Sequence, residues 1–288
     1  MNILQNFPSE EELLQKHRPD TYPGSYKVNN HLHTPYSFSA FDNISQIFRM
    51  AEEENISALG INDFYTTAGY EEFYQLGVEH RIFPLFNVEF IGLLKDFQEK
   101  DMRINDPKNP GRAYFTGKGL TYPLKISDEN ARQLDNLKKH SGEQVEKMVA
   151  RANAFFQELN LPINIDFEEI KQQYARELVR ERHIATAIQN KLSKKTKNKK
   201  KMKTLLQKMY EKKEPQADLS DKAALQNEIR SNLLKKGGRA FVPEDENAFL
   251  NLEQIKYIII DAGGIPCYPV LLDNEKGTLP FIGASKLI

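Results

Sequence analysis

Cysteine is almost absent. The chain has a single one, Cys267, which excludes an intrachain disulfide framework and any zinc cluster built on cysteines. No apolar run approaches the ~18 residues needed to span a bilayer, so no membrane segment is predicted. The N-terminus, MNILQNFPSEEELLQKHRPD, turns acidic at once and lacks the basic-then-apolar order of a secretory signal. Neither sign of charge is in excess, because forty Lys and Arg balance forty Asp and Glu. The average charge therefore names no partner. Together these absences predict a soluble, cytoplasmic protein.

What is present is enough for a real core. The 288 residues are 40% hydrophobic and include seventeen Phe and twelve Tyr. At roughly 150 residues per domain, this length suits one large α/β domain or two smaller ones. Charged residues at 28% and a mean hydropathy of −0.60 point to a helix-rich globule. The zero balance also hides an asymmetry. Arg182 to Tyr210 holds ten Lys or Arg and no acid, leaving thirty basic against forty acidic residues elsewhere. Its densest part, Lys191 to Lys203, reads in two ways. Clustered lysines release counterions from a nucleic-acid backbone, or they solvate a linker between two helices. No aromatic residue is interleaved there to stack bases.

Along the chain, residues 1–26 read as a leader, with a short acidic helix at SEEELLQKH followed by a Pro/Gly-rich turn. SYKVNNHLHT reads as a short strand. ISQIFRMAEEEN has apolar Ile44, Ile47, Phe48 and Ala51 at helical spacing behind Asn43 as N-cap. ISALGINDF is a strand ending near Asp63, GYEEFYQLGVEH a second helix, and RIFPLFNVEFIGLL a strand carrying Glu89. This alternation predicts a parallel α/β sheet or barrel over residues 27–126. DFQEKDMRINDPKNPGRA is polar and breaker-rich, and AYFTGKGLTYPL returns as a strand. Residues 127–236 read as a helical insertion carrying the lysine-rich linker. In 237–288 the alternation resumes, with AFVPEDENAFLNLEQIKYIIIDAGG as helix and GIPCYPVLLD as an apolar strand.

In parallel α/β folds, chemistry gathers at the carboxyl ends of the strands. The polar residues there are His31 and His33, then Asp63, then Glu89. A His-x-His pair on extended backbone points both imidazoles to one side, because side chains alternate with period two. Two imidazoles and a carboxylate can hold Zn, Mn or Fe. Two surface histidines would show the same spacing.

The run from His31, HLHTPYSFSAFDNISQIFRMAEEENISALGINDFYTTAGYEEF, resembles the opening of the polymerase-and-histidinol-phosphatase (PHP) superfamily of metal-dependent phosphoesterases. Asn87-Val88-Glu89 is similar to that family's Gly-Val-Glu motif. VRERHIATAI, from Val179, resembles an Arg-x-His-Ile-Ala-x-Ala segment of branches with a helical insertion. GGRAFVP and AGGIPCYPV resemble the closing part. The resemblance implies a distorted (β/α)7 barrel with an inserted helical subdomain, metal ligation by His31, His33 and Glu89, and hydrolysis of a small phosphate ester or nucleotide. Phe64 stands where the family has the histidine of Thr-Asp-His, Tyr114 or Phe115 where another follows the glutamate strand, and Tyr268 where a His-Pro histidine is usual. A seven-stranded barrel also needs strands beyond GIPCYPVLLD. The barrel is therefore expected to be incomplete, either as a fragment of a longer protein or with an edge open to a partner or second copy.

The resemblance further places Arg182 and His183 near the mouth of the site, where they would grip a substrate phosphate. A surface helix pair beside Glu181 reads identically. Asp63 is counted with them among the catalytic residues, as the partner of a strand-tip histidine. Asp42 suits either an auxiliary ligand or helix-capping geometry, and Cys267 lies in an apolar strand as a core residue. His80 reads as a loop histidine, and His17 and His140 stand alone. Three readings stay open: a metal-dependent phosphoesterase, a degenerate barrel kept for binding or scaffolding, and a nucleic-acid contact through the lysines.

Overall fold

The computed structural model describes residues 26–106 and 109–269. The leader helix with His17, the end of GIPCYPVLLD and the segment TLPFIGASKLI lie outside them. Five strands form one sheet in sequence order: β1 (Lys27–Leu32), β2 (Ile56–Phe64), β3 (Phe83–Leu93), β4 (Arg112–Lys118) and β5 (Ile265–Cys267). β1, β2 and β3 run parallel, joined by helices α1 (Ile44–Glu53) and α2 (Tyr70–His80). α1 forms as its spacing predicts. Ile44, Ile47, Phe48 and Ala51 are its buried face, and Asn43 accepts a hydrogen bond from the Gln46 N–H at 2.9 Å. His80 is the last residue of α2 rather than a loop residue, with Nδ1 2.9 Å from Glu52.

The parallel order stops at β3. β4 and β5 are antiparallel to their neighbours, which corrects the all-parallel expectation. A parallel return needs a crossover that carries the chain back along the sheet, usually on a helix. The polar segment after β3 supplies only the short α3 (Lys95–Glu99), and the chain folds back beside β3.

Among the described residues six further α-helices follow, α4 (Asp128–Glu158), α5 (Phe167–Tyr174), α6 (Glu181–Lys195), α7 (Lys199–Met209), α8 (Lys222–Ile229) and α9 (Leu252–Asp261), with a π-helical turn at Arg230–Leu234 directly after α8. The segment read as one helix from residue 240 forms only a 3-10 turn at Glu246–Ala248 and then α9. The lysine run is not an open linker. It ends α6 and begins α7, with only Thr196 to Asn198 between them.

The buried apolar residues fall into two clusters. One gathers on both faces of the sheet and includes Ile61, Phe64, Phe73, Phe90 and Ile258. The other lies among the helices and includes Met148, Phe156, Ile184, Leu206 and Ile229. Complete burial of one such side chain contributes about 2 kcal/mol. α4 belongs to both. Leu134 and Leu137 near its start pack on the sheet cluster, and Val145 onward packs among the helices. A 31-residue helix, roughly 46 Å long at its standard rise, thus ties the helical part to the sheet.

Candidate metal centre

The register of the sheet decides which side chains meet. Phe64 pairs with Glu89 and Asn62 with Asn87, while Glu89 pairs with Thr116. Because side chains alternate along a strand, Asn62, Phe64, Asn87, Glu89, Tyr114, Thr116 and Lys118 share one face. Asp63 and Val88 take the other.

His31 near the end of β1 and His33 just beyond it converge on Glu89 from the side. His31 Nε2 is 3.3 Å and His33 Nε2 3.1 Å from the same oxygen, Glu89 Oε2. All three donor atoms lie within 4.8 Å of one another. The Glu89 side chain is only 6% exposed, whereas that of His31 is 42% exposed, so the group opens to solvent on the His31 side. Burial by itself raises the Glu89 pKa. The hydrogen bonds and charges of His31 and His33 outweigh it and hold the carboxyl below its ordinary range.

This donor set fits a divalent cation. Three acceptor atoms brought this close repel one another unless protons or a cation lie between them. Two imidazoles and one carboxylate are the ligand set of an open, catalytic type of zinc site. The other ring nitrogen of His33, Nδ1, is buried without a hydrogen-bond partner. Aromatic packing instead fixes its ring, with Phe38 at 4.8 Å and Phe64 at 5.0 Å between centroids. Asp42 is exposed and stands outside the cluster.

Asp63 does not touch a histidine nitrogen. Its Oδ1 accepts the Thr34 N–H at 2.7 Å and the Ser37 hydroxyl, and its Oδ2 accepts the Thr34 hydroxyl. It therefore anchors the loop that carries His33. Burial pushes its pKa up to about 6, against the hydrogen bonds from Ser37 and Thr34 and the charge of His33. Period two separates it from the site, since it faces away from Asn62 and Phe64.

Arg182 and His183 are not brought to the cluster. Arg182 Nη2 is 3.3 Å from Asn227 Oδ1 on α8. His183 is buried, and its Nδ1 accepts the Arg180 N–H at 3.0 Å in a cap at the start of α6. Burial, then Arg180 and Arg182, push its pKa down to about 4, so it is neutral at neutral pH. The arginine that reaches the site is Arg180. Its guanidinium lies 5.5 Å from the Phe64 ring centroid and donates to Ser141 Oγ at 2.8 Å. The preceding residues lace the helices to the His33 loop. Leu178 N–H donates to the Tyr36 carbonyl at 3.0 Å, and Glu177 accepts from the Thr66 hydroxyl.

Two more residues, Asn62 and Lys118, stand beside the cluster without having been singled out in the sequence. Asn62 Nδ2 is 3.1 Å from His31 Nε2 and 3.3 Å from Glu89 Oε2. Lys118 donates to Asn62 Oδ1 at 3.0 Å. Tyr114, at the position of a family histidine, lies 6.3 Å from Phe64 between ring centroids. Burial, Asp106 and Glu89 push its hydroxyl up to about 12, so it keeps its proton and acts as a donor, not an anionic ligand. Tyr268 is likewise raised by burial. Only a strand-face argument that included an antiparallel β4 would have found Asn62 and Lys118 together.

Among solved structures, the chain is similar to a candidate metal-dependent phosphoesterase from Bifidobacterium adolescentis. The identity is 13% and the TM-score 0.58, over 92% of this chain and 74% of that one. It is also similar to an amidohydrolase from Chromobacterium violaceum, whose crystal holds sulfate and no metal. Here the identity is 15% and the TM-score 0.53, over 84% and 66% of the two chains. At such identities the likeness is one of fold. No curated protein matches the chain. The family model of the PHP domain matches residues 29–212, well over half of the sequence. By that match this chain belongs to the PHP domain family.

Proposed function

We propose that this chain hydrolyses a small phosphate ester or nucleotide with a divalent cation, Zn, Mn or Fe, held by His31, His33 and Glu89. The observation that carries the reading is the convergence of His31 Nε2 and His33 Nε2 on Glu89 Oε2, at 3.3 and 3.1 Å. A cation held there supplies Lewis-acid polarisation of a phosphoryl oxygen and lowers the pKa of water. The protein's own groups bind and orient. Arg180, placed over Phe64, offers a guanidinium to phosphate oxygens. The Tyr114 hydroxyl retains its proton and donates. Asp63 keeps the His33 loop in place through Thr34 and Ser37.

The ring cluster of His33, Phe38 and Phe64 supports a second reading, a PHP-fold binding module in which the pocket serves recognition alone. Metal analysis of protein purified without chelator or metal-affinity resin separates the two. Hydrolysis predicts about one equivalent of Zn, Mn or Fe per chain, and loss of both metal and phosphate-ester turnover in His33→Ala. Turnover that survives in the metal-free His33→Ala variant overturns it. Substoichiometric metal, no turnover and stability indifferent to chelator select the binding module.

A further inference from the structure

Lys118 ends β4 on the same face as Asn62 and Glu89. Its ammonium is a donor with no acceptor capacity. It donates to the Asn30 carbonyl at 2.7 Å and to Asn62 Oδ1 at 3.0 Å. The oxygen and nitrogen of a carboxamide have the same shape, so the hydrogen-bond network decides which way the group turns. A donor-only neighbour admits only the oxygen. The Asn62 NH₂ group is thereby turned toward the cluster, 3.1 Å from His31 Nε2 and 3.3 Å from Glu89 Oε2. Neighbouring amides are ordered in the same sense. The Gly119 N–H donates to Asn87 Oδ1 at 3.1 Å, and Asn87 Nδ2 donates to Asn30 Oδ1 at 2.9 Å. Gly60 closes this layer from below. A Cβ there would stand 2.3 Å from Asn30 Oδ1 and 2.6 Å from Asn87 Nδ2, so the amides are packed in place.

We propose that Lys118 is a positioning residue of the candidate metal centre: by fixing the Asn62 amide it presents the NH₂ group to His31 and Glu89 and keeps the Asn62 oxygen out of the ligand set. With the amide oxygen turned away, the cation has three protein donors, and the remaining positions stay open to substrate. The proposal rests on the metal-binding reading above.

Zinc titrations against a competing chelator test it. Lys118→Met is expected to bind zinc about tenfold more tightly, the size of effect typical of groups that orient metal ligands. In the Asn62→Ala background the same substitution should change affinity by less than about threefold, because the amide oxygen is no longer there to turn inward. Lys118→Arg, which keeps the donor, should restore the wild-type affinity. An equal gain in both backgrounds, which would mean that only a charge was removed, overturns the proposal, and so does unchanged affinity in Lys118→Met. If Lys118→Met does not fold, Asn62→Asp, which turns an oxygen to the cluster in either orientation, should show the same gain, and no gain overturns the proposal. Zinc uptake without phosphate-ester turnover overturns the hydrolase reading alone, and a wild type that takes up no zinc overturns both.

Discussion

The imidazole of His33 lies parallel to the phenyl ring of Phe64, with ring centroids 5.0 Å apart and planes inclined by only 7°. Phe38 joins them at 4.8 Å from His33 and 5.7 Å from Phe64. A histidine that binds metal usually has its second ring nitrogen hydrogen-bonded to a carboxylate or carbonyl, which fixes its orientation. In this chain that nitrogen, Nδ1, is buried and unpartnered, and flat aromatic packing does the orienting. The residue standing at the family's histidine position is thus part of the support for His33.

Phe64→Leu keeps an apolar side chain but removes the flat surface against His33. Zinc affinity is expected to fall about tenfold, in the range for loss of an orienting group, with a stability loss of about 1 kcal/mol from the changed packing. Phe64→His should do the opposite and raise metal affinity or metal content per chain, by offering a lone pair on the same strand face as Glu89. Chelator-competition titrations of the two variants check both directions. Unchanged affinity in Phe64→Leu would show that the ring stack does not position His33.

Asp63 carries a pH dependence of its own. Its carboxyl is fully buried, and its folded-state pKa of about 6 stands above the ordinary value of 3.8, with burial as the chief cause. The folded state therefore holds the proton more tightly than the unfolded chain does. Its contribution to stability is fully present below pH 3.8 and is lost as pH rises through 6. By neutral pH the loss is on the order of 3 kcal/mol for this one group. Asp63→Asn removes the titration and can keep all three contacts, since the Thr34 hydroxyl is able to turn and accept from an amide. We expect urea midpoints of Asp63→Asn to vary less between pH 4 and 7 than the wild type's, with metal content retained. Asp63→Ala should lose about 2 kcal/mol through the unpaired Thr34 N–H and the empty space. A steeper pH profile in Asp63→Asn, or loss of hydrolysis with the metal still bound, would return Asp63 to a direct catalytic role.

The cluster of His31, His33 and Glu89 was legible because its signal is local. His31 and His33 are two residues apart on extended backbone, and Glu89 sits inside an apolar strand, so period two and strand order were enough. Asp63 was harder to read. The same alternation that aligns Asn62 and Phe64 with Glu89 turns Asp63 to the opposite face, a consequence of register, not composition. Lys118 and Asn62 meet only because β4 is antiparallel to β3, which the pattern of alternating strands and helices did not reveal. Arg182 and Arg180 take different directions by a small margin. α6 begins at Glu181, so Arg180 is its N-cap and projects to Phe64, while Arg182 turns toward α8. Helix starts are uncertain by a residue or two from sequence, and here that uncertainty decides which guanidinium faces the site.

The lysine run ends α6 and begins α7, and the second placement has its own consequence. Lys199, Lys200 and Lys201 occupy the first turn of the helix, behind Asn198, whose Oδ1 accepts the Lys201 N–H at 3.1 Å. The turn contains no acidic residue. A helix N-terminus carries a partial positive charge, so cations there are unfavourable and anions favourable. Lys200 is exposed, and Lys200→Glu should therefore stabilise the protein by about 0.5 kcal/mol, read as a higher urea midpoint in low salt that converges on the wild type as salt is added. Clustered cations of this kind are also able to meet phosphate groups. If they do so, affinity for an oligonucleotide falls steeply with salt, and replacing Lys199, Lys200 and Lys203 with Gln reduces the slope by about one per lost phosphate contact. Binding that ignores both salt and these substitutions assigns the run to the helix surface alone.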